Sequence, residues 1–473
     1  MRAPQPSQKR KITRTGTGSA AKKFILRCVL CGVEIDGFAR WFASEQRCPE
    51  CGSDQADVVY RTAAPKIRNL FNQPPNGLPG MWRYFDILPV NDRKNVVTAG
   101  EGLVPIDRWE FLEDYARKRF KIRCRVYAHR QDDNYATGTF KDLSGSIVAS
   151  VLKENGIKNF VASSTGNTAV AYARYLTAAG ISFYAFIPQK TSIMQAAEVG
   201  CFGQNVFRVK GDYTLTKEMA MAFARKNKMP LAGGNFDPMR IEAKKTMMLE
   251  WLRLLDEFPT VYIQALSGGT GPMAIAKGCR DLAPLGLCGP MPRFILSQSS
   301  RCAPMAAAWK EAKKKGFPEG WEKTYPIYRN PQTRIATLAA GFPKTYPVLA
   351  PLVRESGGEI LAFDEDATPL IARLVAFERS VRIGPAAAIG LGGFFEALKS
   401  GAICDGDRVM INIGEGIRRA PEFLVTMFKE KAEVASVEDC RLSDRRGYRA
   451  DVWNELENTV MNGKKAADDR RGR

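Results

Sequence analysis

From about residue 95 the chain alternates short apolar runs with longer stretches whose apolar positions recur at helical spacing. NFVASS (159–164) precedes NTAVAYARYLTAAG, SFYAFIP (182–188) precedes SIMQAAEVG, and NVFRVKG precedes YTLTKEMAMAFARKN. The alternation returns in TVYIQAL (260–266) before GPMAIAKGCRDLA, in RFILSQ before APMAAAWKEAKKKG, and in GEILAF before DATPLIARLVAFERS. The apolar GPAAAIGLGGFFEAL and the run RVMINIG close the series. Brief apolar runs bounded by turn residues read as buried strands, and stretches of period 3.6 read as helices. Their repeated alternation predicts an α/β protein with parallel sheets covered by helices on both faces. No run reaches the roughly 18 apolar residues that a membrane-spanning helix needs.

The first 95 residues follow no such rhythm. Residues 1–23 carry seven basic residues, no acid and no apolar segment, which predicts a disordered basic tail rather than a secretory signal. Residues 24–60 contain Cys28-Val-Leu-Cys31 and Cys48-Pro-Glu-Cys51, each pair followed by glycine. Two such knuckles present four thiolates from tight turns and predict a closed, structural zinc ribbon. A disulfide pair is the alternative and suits an oxidising compartment. A Pro- and Gly-rich connector is expected over 61–95, the main body over 96–425 with a smaller subdomain at about 140–230, and a helical, basic extension over 426–473.

Charge and histidine content narrow the chemistry. Of 473 residues 70 are Lys or Arg and 50 Asp or Glu, a net charge of +20 that favours anionic ligands, whether nucleic acid or small anionic substrates. The only histidine is His129, so chemistry needing two histidines is excluded; its place at a probable strand end predicts a structural role.

Two loops have unusual composition for the C-terminal ends of strands, where open α/β sheets bind ligands. Ser163–Thr168, SSTGNT, offers hydroxyls, an amide and backbone N–H groups at a helix start, a set suited to a carboxylate. Ser267–Gly271, SGGTG, is followed by Pro272 and has the composition of a backbone phosphate cradle, though it is neither a P-loop nor a GxGxxG fingerprint. A third segment, ATGTFKDLSG (136–145), places Lys141 where an apolar helix begins. A phosphate cradle, a carboxylate loop and a lysine together fit pyridoxal 5′-phosphate, which needs a phosphate site and a lysine amine.

At this point the sequence resembles the fold-type II pyridoxal-phosphate enzymes, the threonine synthase and tryptophan synthase β-subunit group. ATGTFKDL is similar to the family's lysine motif, TAGEGLVPI (98–106) to the segment before it, SSTGNTAVAYARY to its asparagine loop and IQALSGGTGPMAIAKG to its phosphate loop. The connector LPGMWRYFDILPV and GDYTLTKEMA resemble cysteate synthases, whereas TAGEGLVPI and TGTFKD resemble threonine synthases. The resemblance implies two αβα subdomains of the tryptophan synthase β-like fold behind a small four-cysteine zinc ribbon, a cytoplasmic enzyme and a homodimer. It implies an O-phospho amino acid substrate; the apolar pattern predicts no membrane partner, and a nucleic-acid partner is disfavoured. Replacement of phosphate in O-phosphoserine by sulfite is the leading expectation, threonine formation from O-phosphohomoserine the second. A non-catalytic ribbon protein that binds nucleic acid is the third.

Carried over by resemblance, Lys141 holds the cofactor and, once released, removes the substrate α-proton. Phe140 packs near the ring, Asn167 meets the ring oxygen, Gly268, Gly269, Thr270 and Gly271 cradle the phosphate, and Ser164, Thr165 and Thr168 bind the substrate carboxylate. Cys28, Cys31, Cys48 and Cys51 hold structural zinc. Two positions depart from the pattern. Ile413, flanked by Asn412 and Gly414, stands where the family places Ser or Thr against the pyridine nitrogen, which leaves Asn412 as the candidate partner. Gly384 stands where relatives often carry an acid before the proline, here Pro385.

Overall fold

The β-branched and aromatic runs become strands and the periodic stretches become helices because each buries its apolar positions against the next element in the chain. The computed structural model describes residues 22–72, 77–164, 166–211, 213–427, 435–440 and 445–463. The expected basic tail up to residue 21 and the segment from 464 onward lie outside the described residues.

Among the described residues twelve strands form three sheets. The first is antiparallel in the order β2-β1-β3, from β1 (Phe24–Cys28), β2 (Glu34–Ile35) and β3 (Ala56–Tyr60). The largest runs β11-β10-β9-β12-β5-β4, from β4 (Ile106–Arg108), β5 (Arg125–His129), β9 (Val261–Ala265), β10 (Arg293–Ser299), β11 (Glu359–Phe363) and β12 (Arg408–Asn412). It is parallel except for β4, which lies antiparallel on β5 at one edge. The third is a parallel sheet of β6 (Asn159–Ser163), β7 (Ser182–Pro188) and β8 (Asn205–Val209). The chain therefore inserts the small sheet between β5 and β9 and returns to finish the large one.

Helices cover both faces of the large sheet. Pro385–Ser400 packs on β9, β10 and β11, while Pro238–Leu254 and Thr270–Leu282 pack on each other. Two extensive cores result, one on each face. The first also takes in Phe24, Leu26, Phe38 and Trp41 of the N-terminal sheet and Met81, Trp82 and Tyr84 of the connector, all at most 2% exposed. Trp82 Nε1 donates to Ser146 Oγ at 2.8 Å and Tyr84 Oη to Glu250 at 2.5 Å, so the connector is threaded through the body.

A buried ionic layer locks the N-terminal sheet to the two helices beneath it. Tyr60 Oη donates to Glu242 at 2.6 Å, Lys245 pairs with Glu242 at 2.5 Å, and Lys277 reaches Asp281 at 2.9 Å and the Val58 carbonyl at 3.0 Å. Each buried charge has an opposite partner, the condition under which such charges are tolerated. Among the described residues no helix is long and apolar enough to cross a membrane.

Candidate active site

A cavity of about 730 Å³ opens between the two parallel sheets at the C-terminal ends of β6, β9 and β12. It is lined by the lysine segment, the SSTGNT and SGGTG loops and the end of β12, which the fold brings together from positions 140 to 415.

Lys141 opens the helix Lys141–Glu154. The turn before it is fixed by Asp142, whose carboxylate accepts from Thr137 N at 2.9 Å and Thr137 Oγ1 at 2.6 Å. Phe140 N donates to the Gly414 carbonyl at 3.2 Å, which ties this turn to the end of β12. The Lys141 ammonium lies 3.6 Å from the centre of the Phe140 ring. Burial, with the Arg240 guanidinium adding repulsion, lowers its pKa from 10.5 to about 7, while the Glu415 carboxylate opposes the shift. A lysine so placed is about half neutral near pH 7 and can act as nucleophile or base.

Asn167 starts the helix Asn167–Ala178, is 3% exposed, and donates from Nδ2 to Glu415 at 2.7 Å, while its Oδ1 has no partner. Ser164 Oγ accepts from Gly166 N and Ala169 N, both at 3.1 Å, which leaves its own hydrogen to donate. Ser164 and Thr168 line the cavity; Thr165 lies outside the described residues.

Gly268, Gly269, Thr270 and Gly271 line the cavity around the start of the helix Thr270–Leu282. A Cβ at Gly268 would stand 2.0 Å from Asn235 Nδ2, and one at Gly271 would stand 2.2 Å from Gln264 Oε1. Only glycine allows this close approach, which keeps backbone N–H groups open to an anion at a helix N-terminus. Thr270 Oγ1 donates to Asn235 Oδ1 at 3.0 Å and holds that wall in place.

At the end of β12 the pleat turns Asn412 and Gly414 toward the cavity and sends Ile413 into the opposite core. Asn412 Nδ2 lies 3.3 Å from Gln264 Oε1, and its buried Oδ1 has no partner. A buried lysine, two buried amides and a cradle that admits no Cβ could hold pyridoxal phosphate: the Lys141 amine would meet its aldehyde, an Asn167 Nδ2 hydrogen its ring oxygen, Asn412 its ring nitrogen and the glycine-loop N–H groups its phosphate.

Sequence reasoning missed several cavity residues. Arg240 and Lys244 project from the helix Pro238–Leu254, which carries too little amphipathic pattern to stand out. Glu415 is buried and accepts from Ala386 N at 3.0 Å. A Cβ at Gly384 would lie 2.9 Å from Glu415 Cγ, so the glycine noted before Pro385 makes room for a carboxylate delivered from another strand end. Trp41, Gln46, Arg47 and Asp54 of the N-terminal segment also line the cavity, and Gln46 Oε1 accepts from Leu231 N at 3.0 Å.

In the same segment the Sγ atoms of Cys28, Cys31, Cys48 and Cys51 lie within 4.8 Å of one another. Four sulfurs so grouped suit one tetrahedral zinc, which would be structural since the set leaves no open position. His129 is buried between Trp251 Nε1, 2.9 Å from its Nδ1, and the Gln131 side-chain amide, 2.9 Å from its Nε2; burial lowers its pKa to about 3.

Residues 98–414 match the family model described as "Pyridoxal-phosphate dependent enzyme". The chain is similar to the threonine synthase of Methanocaldococcus jannaschii, at 26% identity over 83% of this chain and 92% of that one. It is similar to the cysteate synthase of Methanococcoides burtonii at 27% identity, over 86% and 92% respectively. Among solved structures, diaminopropionate ammonia lyase from Escherichia coli shares the fold at 12% identity, with a TM-score of 0.57 over 78% of this chain and 92% of that one. The processed threonine deaminase isoform 2 of Solanum lycopersicum does so at 16% identity, with a TM-score of 0.55 over 71% and 88%.

Proposed function

The chain belongs to the family of pyridoxal-phosphate-dependent enzymes, and from that premise we propose that it replaces the phosphate of an O-phospho amino acid, with O-phosphoserine as donor and sulfite as nucleophile. The observation that carries this reading is the excess of basic side chains in the cavity wall. Six basic side chains line it against four acidic ones, and Arg240 and Lys244 sit at its buried end beside Lys141. A dianionic leaving group and an anionic nucleophile both gain from that environment.

Pyridoxal phosphate, when bound, withdraws electrons from the substrate Cα and acidifies its hydrogen. The residues of the chain do the rest. Ser164 donates its hydroxyl hydrogen to the substrate carboxylate, and the N-terminus of the helix Asn167–Ala178 orients it. The Lys141 amine, neutral in half the molecules near pH 7, takes the α-proton, and Glu415 favours the charged form that results. The Cβ–O bond breaks toward the cationic end of the cavity and phosphate leaves with its electron pair. The sulfur lone pair of sulfite then forms the Cβ–S bond, and the proton on Lys141 returns to Cα. O-phosphoserine and sulfite become cysteate and phosphate with no external oxidant.

The similarity to threonine synthase over nearly as much of the chain supports a second reading, O-phosphohomoserine with water as nucleophile, giving threonine and phosphate. The deciding experiment follows the visible spectrum of the purified, cofactor-loaded protein after addition of each phosphorylated amino acid, then analyses products with and without sulfite. A spectral change with O-phosphoserine and formation of cysteate support the first reading. Threonine from O-phosphohomoserine supports the second, and no spectral change with either donor removes both.

A further inference from the structure

Glu415 follows β12 and sits between the turn before Lys141 and the start of the helix Pro385–Ser400, 5% exposed. The backbone around it is held on both sides. Its carbonyl accepts from Gly384 N at 3.1 Å, the Gly414 carbonyl accepts from Phe140 N at 3.2 Å, and Gly416 N donates to the Gly138 carbonyl at 3.0 Å. The side chain is held as firmly. Oε1 accepts from Ala386 N at 3.0 Å and Oε2 from Asn167 Nδ2 at 2.7 Å. Both oxygens take N–H hydrogens, the pattern that suits an ionised carboxylate. The space stays open because position 384 is glycine: a Cβ there would stand 2.9 Å from Glu415 Cγ and 3.0 Å from its Oε1.

A side-chain amide can offer a neighbour either its oxygen or its hydrogens. By taking one Nδ2 hydrogen of Asn167, Glu415 settles which way that amide lies and where its second hydrogen points. The same carboxylate attracts the Lys141 ammonium, whereas Arg240 repels it. The other charged groups nearby are cationic or engaged elsewhere. Asp142, on the helix of Lys141, accepts twice from Thr137. Lys244 is cationic when charged and adds no attraction. Arg419 acts on Glu415 from the following turn and pairs with Glu198 at 2.7 Å.

We propose that Glu415 is a positioning residue for the cofactor: its carboxylate turns the Asn167 amide so that a hydrogen faces the cofactor's ring oxygen, and its negative charge opposes the cations around Lys141. The role lies in cofactor capture and goes beyond the replacement reaction, so it holds for whichever phosphorylated amino acid is the donor.

The test compares full-length wild type, E415Q and E415D. The rate of pyridoxal-phosphate capture by cofactor-free protein is followed across pH 5 to 10. E415Q loses the attraction for the ammonium, so its bend should fall about one pH unit below that of the wild type. E415D keeps the charge, and its bend should stay with the wild type. A loosened, wetter pocket acts in the opposite direction, because solvation returns a buried lysine toward its ordinary value of 10.5. Equilibrium dialysis of the cofactor with E415Q, N167A and the double variant tests the second contact. If Glu415 works through Asn167, E415Q should weaken binding about fivefold alone and less than about twofold beside N167A, since residues in contact are not additive. An unmoved or rising bend in E415Q, a bend in E415D that moves as far as that of E415Q, or additive losses in the double variant would each overturn the proposal. Should E415Q fail to fold, E415M takes its place under the same criteria. None of these readouts needs a substrate, so a protein inert toward both phosphorylated amino acids removes the replacement reaction and leaves this assignment standing.

Discussion

If Lys141 titrates near pH 7, capture of pyridoxal phosphate by cofactor-free protein must show it. The neutral amine attacks the aldehyde, so the loading rate follows the neutral fraction. With its pKa lowered from 10.5 to about 7, Lys141 is half neutral at pH 7, where an ordinary lysine is neutral in about 3 molecules in 10⁴. The reactive fraction is therefore on the order of a thousandfold larger than on an exposed lysine. The assay mixes cofactor-free protein with pyridoxal phosphate across pH 5 to 10 and follows the rise of the yellow band. The rate should climb about tenfold per unit below pH 6, bend near pH 7 and run level above it. R240M removes the cation that adds to burial in lowering the pKa, so its bend should move to higher pH. K141A should show no covalent band. A wild-type rate still climbing tenfold per unit at pH 9 would refute the assignment of a buried, cation-flanked lysine.

Three further outcomes follow from the geometry. Metal analysis of the full chain should find one zinc, and C28S/C48S should lose both the metal and turnover because the ribbon forms part of the cavity wall; a zinc-free variant with unchanged turnover would disconnect the two. G271A should weaken pyridoxal-phosphate binding, since the added Cβ displaces Gln264 from Tyr262 Oη at 2.5 Å and Asn412 Nδ2 at 3.3 Å; equilibrium dialysis of the cofactor measures it. His129, held at about 3 against an unfolded value near 6.5, binds a proton in the unfolded chain and not in the native one throughout that window, so it makes stability fall as pH drops from about 6.5 toward 3; urea titrations of H129N at pH 7 and pH 4.5 should show a smaller loss between them than the wild type shows.

The strand–helix alternation was legible because parallel strands are buried on both faces and read as short continuous apolar runs. SFYAFIP is strand Ser182–Pro188, and GEILAF holds strand Glu359–Phe363. The glycine, asparagine and lysine motifs were legible as local sequence, and the fold gathers them in one cavity. The helix Pro238–Leu254 escaped notice for a physical reason. Its Glu242, Lys244, Lys245 and Glu250 are buried as completely as its methionines, paired with other charges or turned to the cavity, so polar positions do not mark a solvent face. Arg240 and Lys244 went with it. Glu415 is a long-range substitution of a different kind: the space left by Gly384 is read in three dimensions and has no signature at either position alone.

Gln46, Arg47 and Asp54 reach the cavity from a segment outside residues 98–414, the stretch by which the chain is recognised as a member of its family. Part of the cavity wall is thus written outside the segment that marks the family. Sorting chains by the family segment alone therefore leaves one side of the cavity unread. Trimming that N-terminal segment to obtain a minimal catalytic fragment would alter the chamber under study.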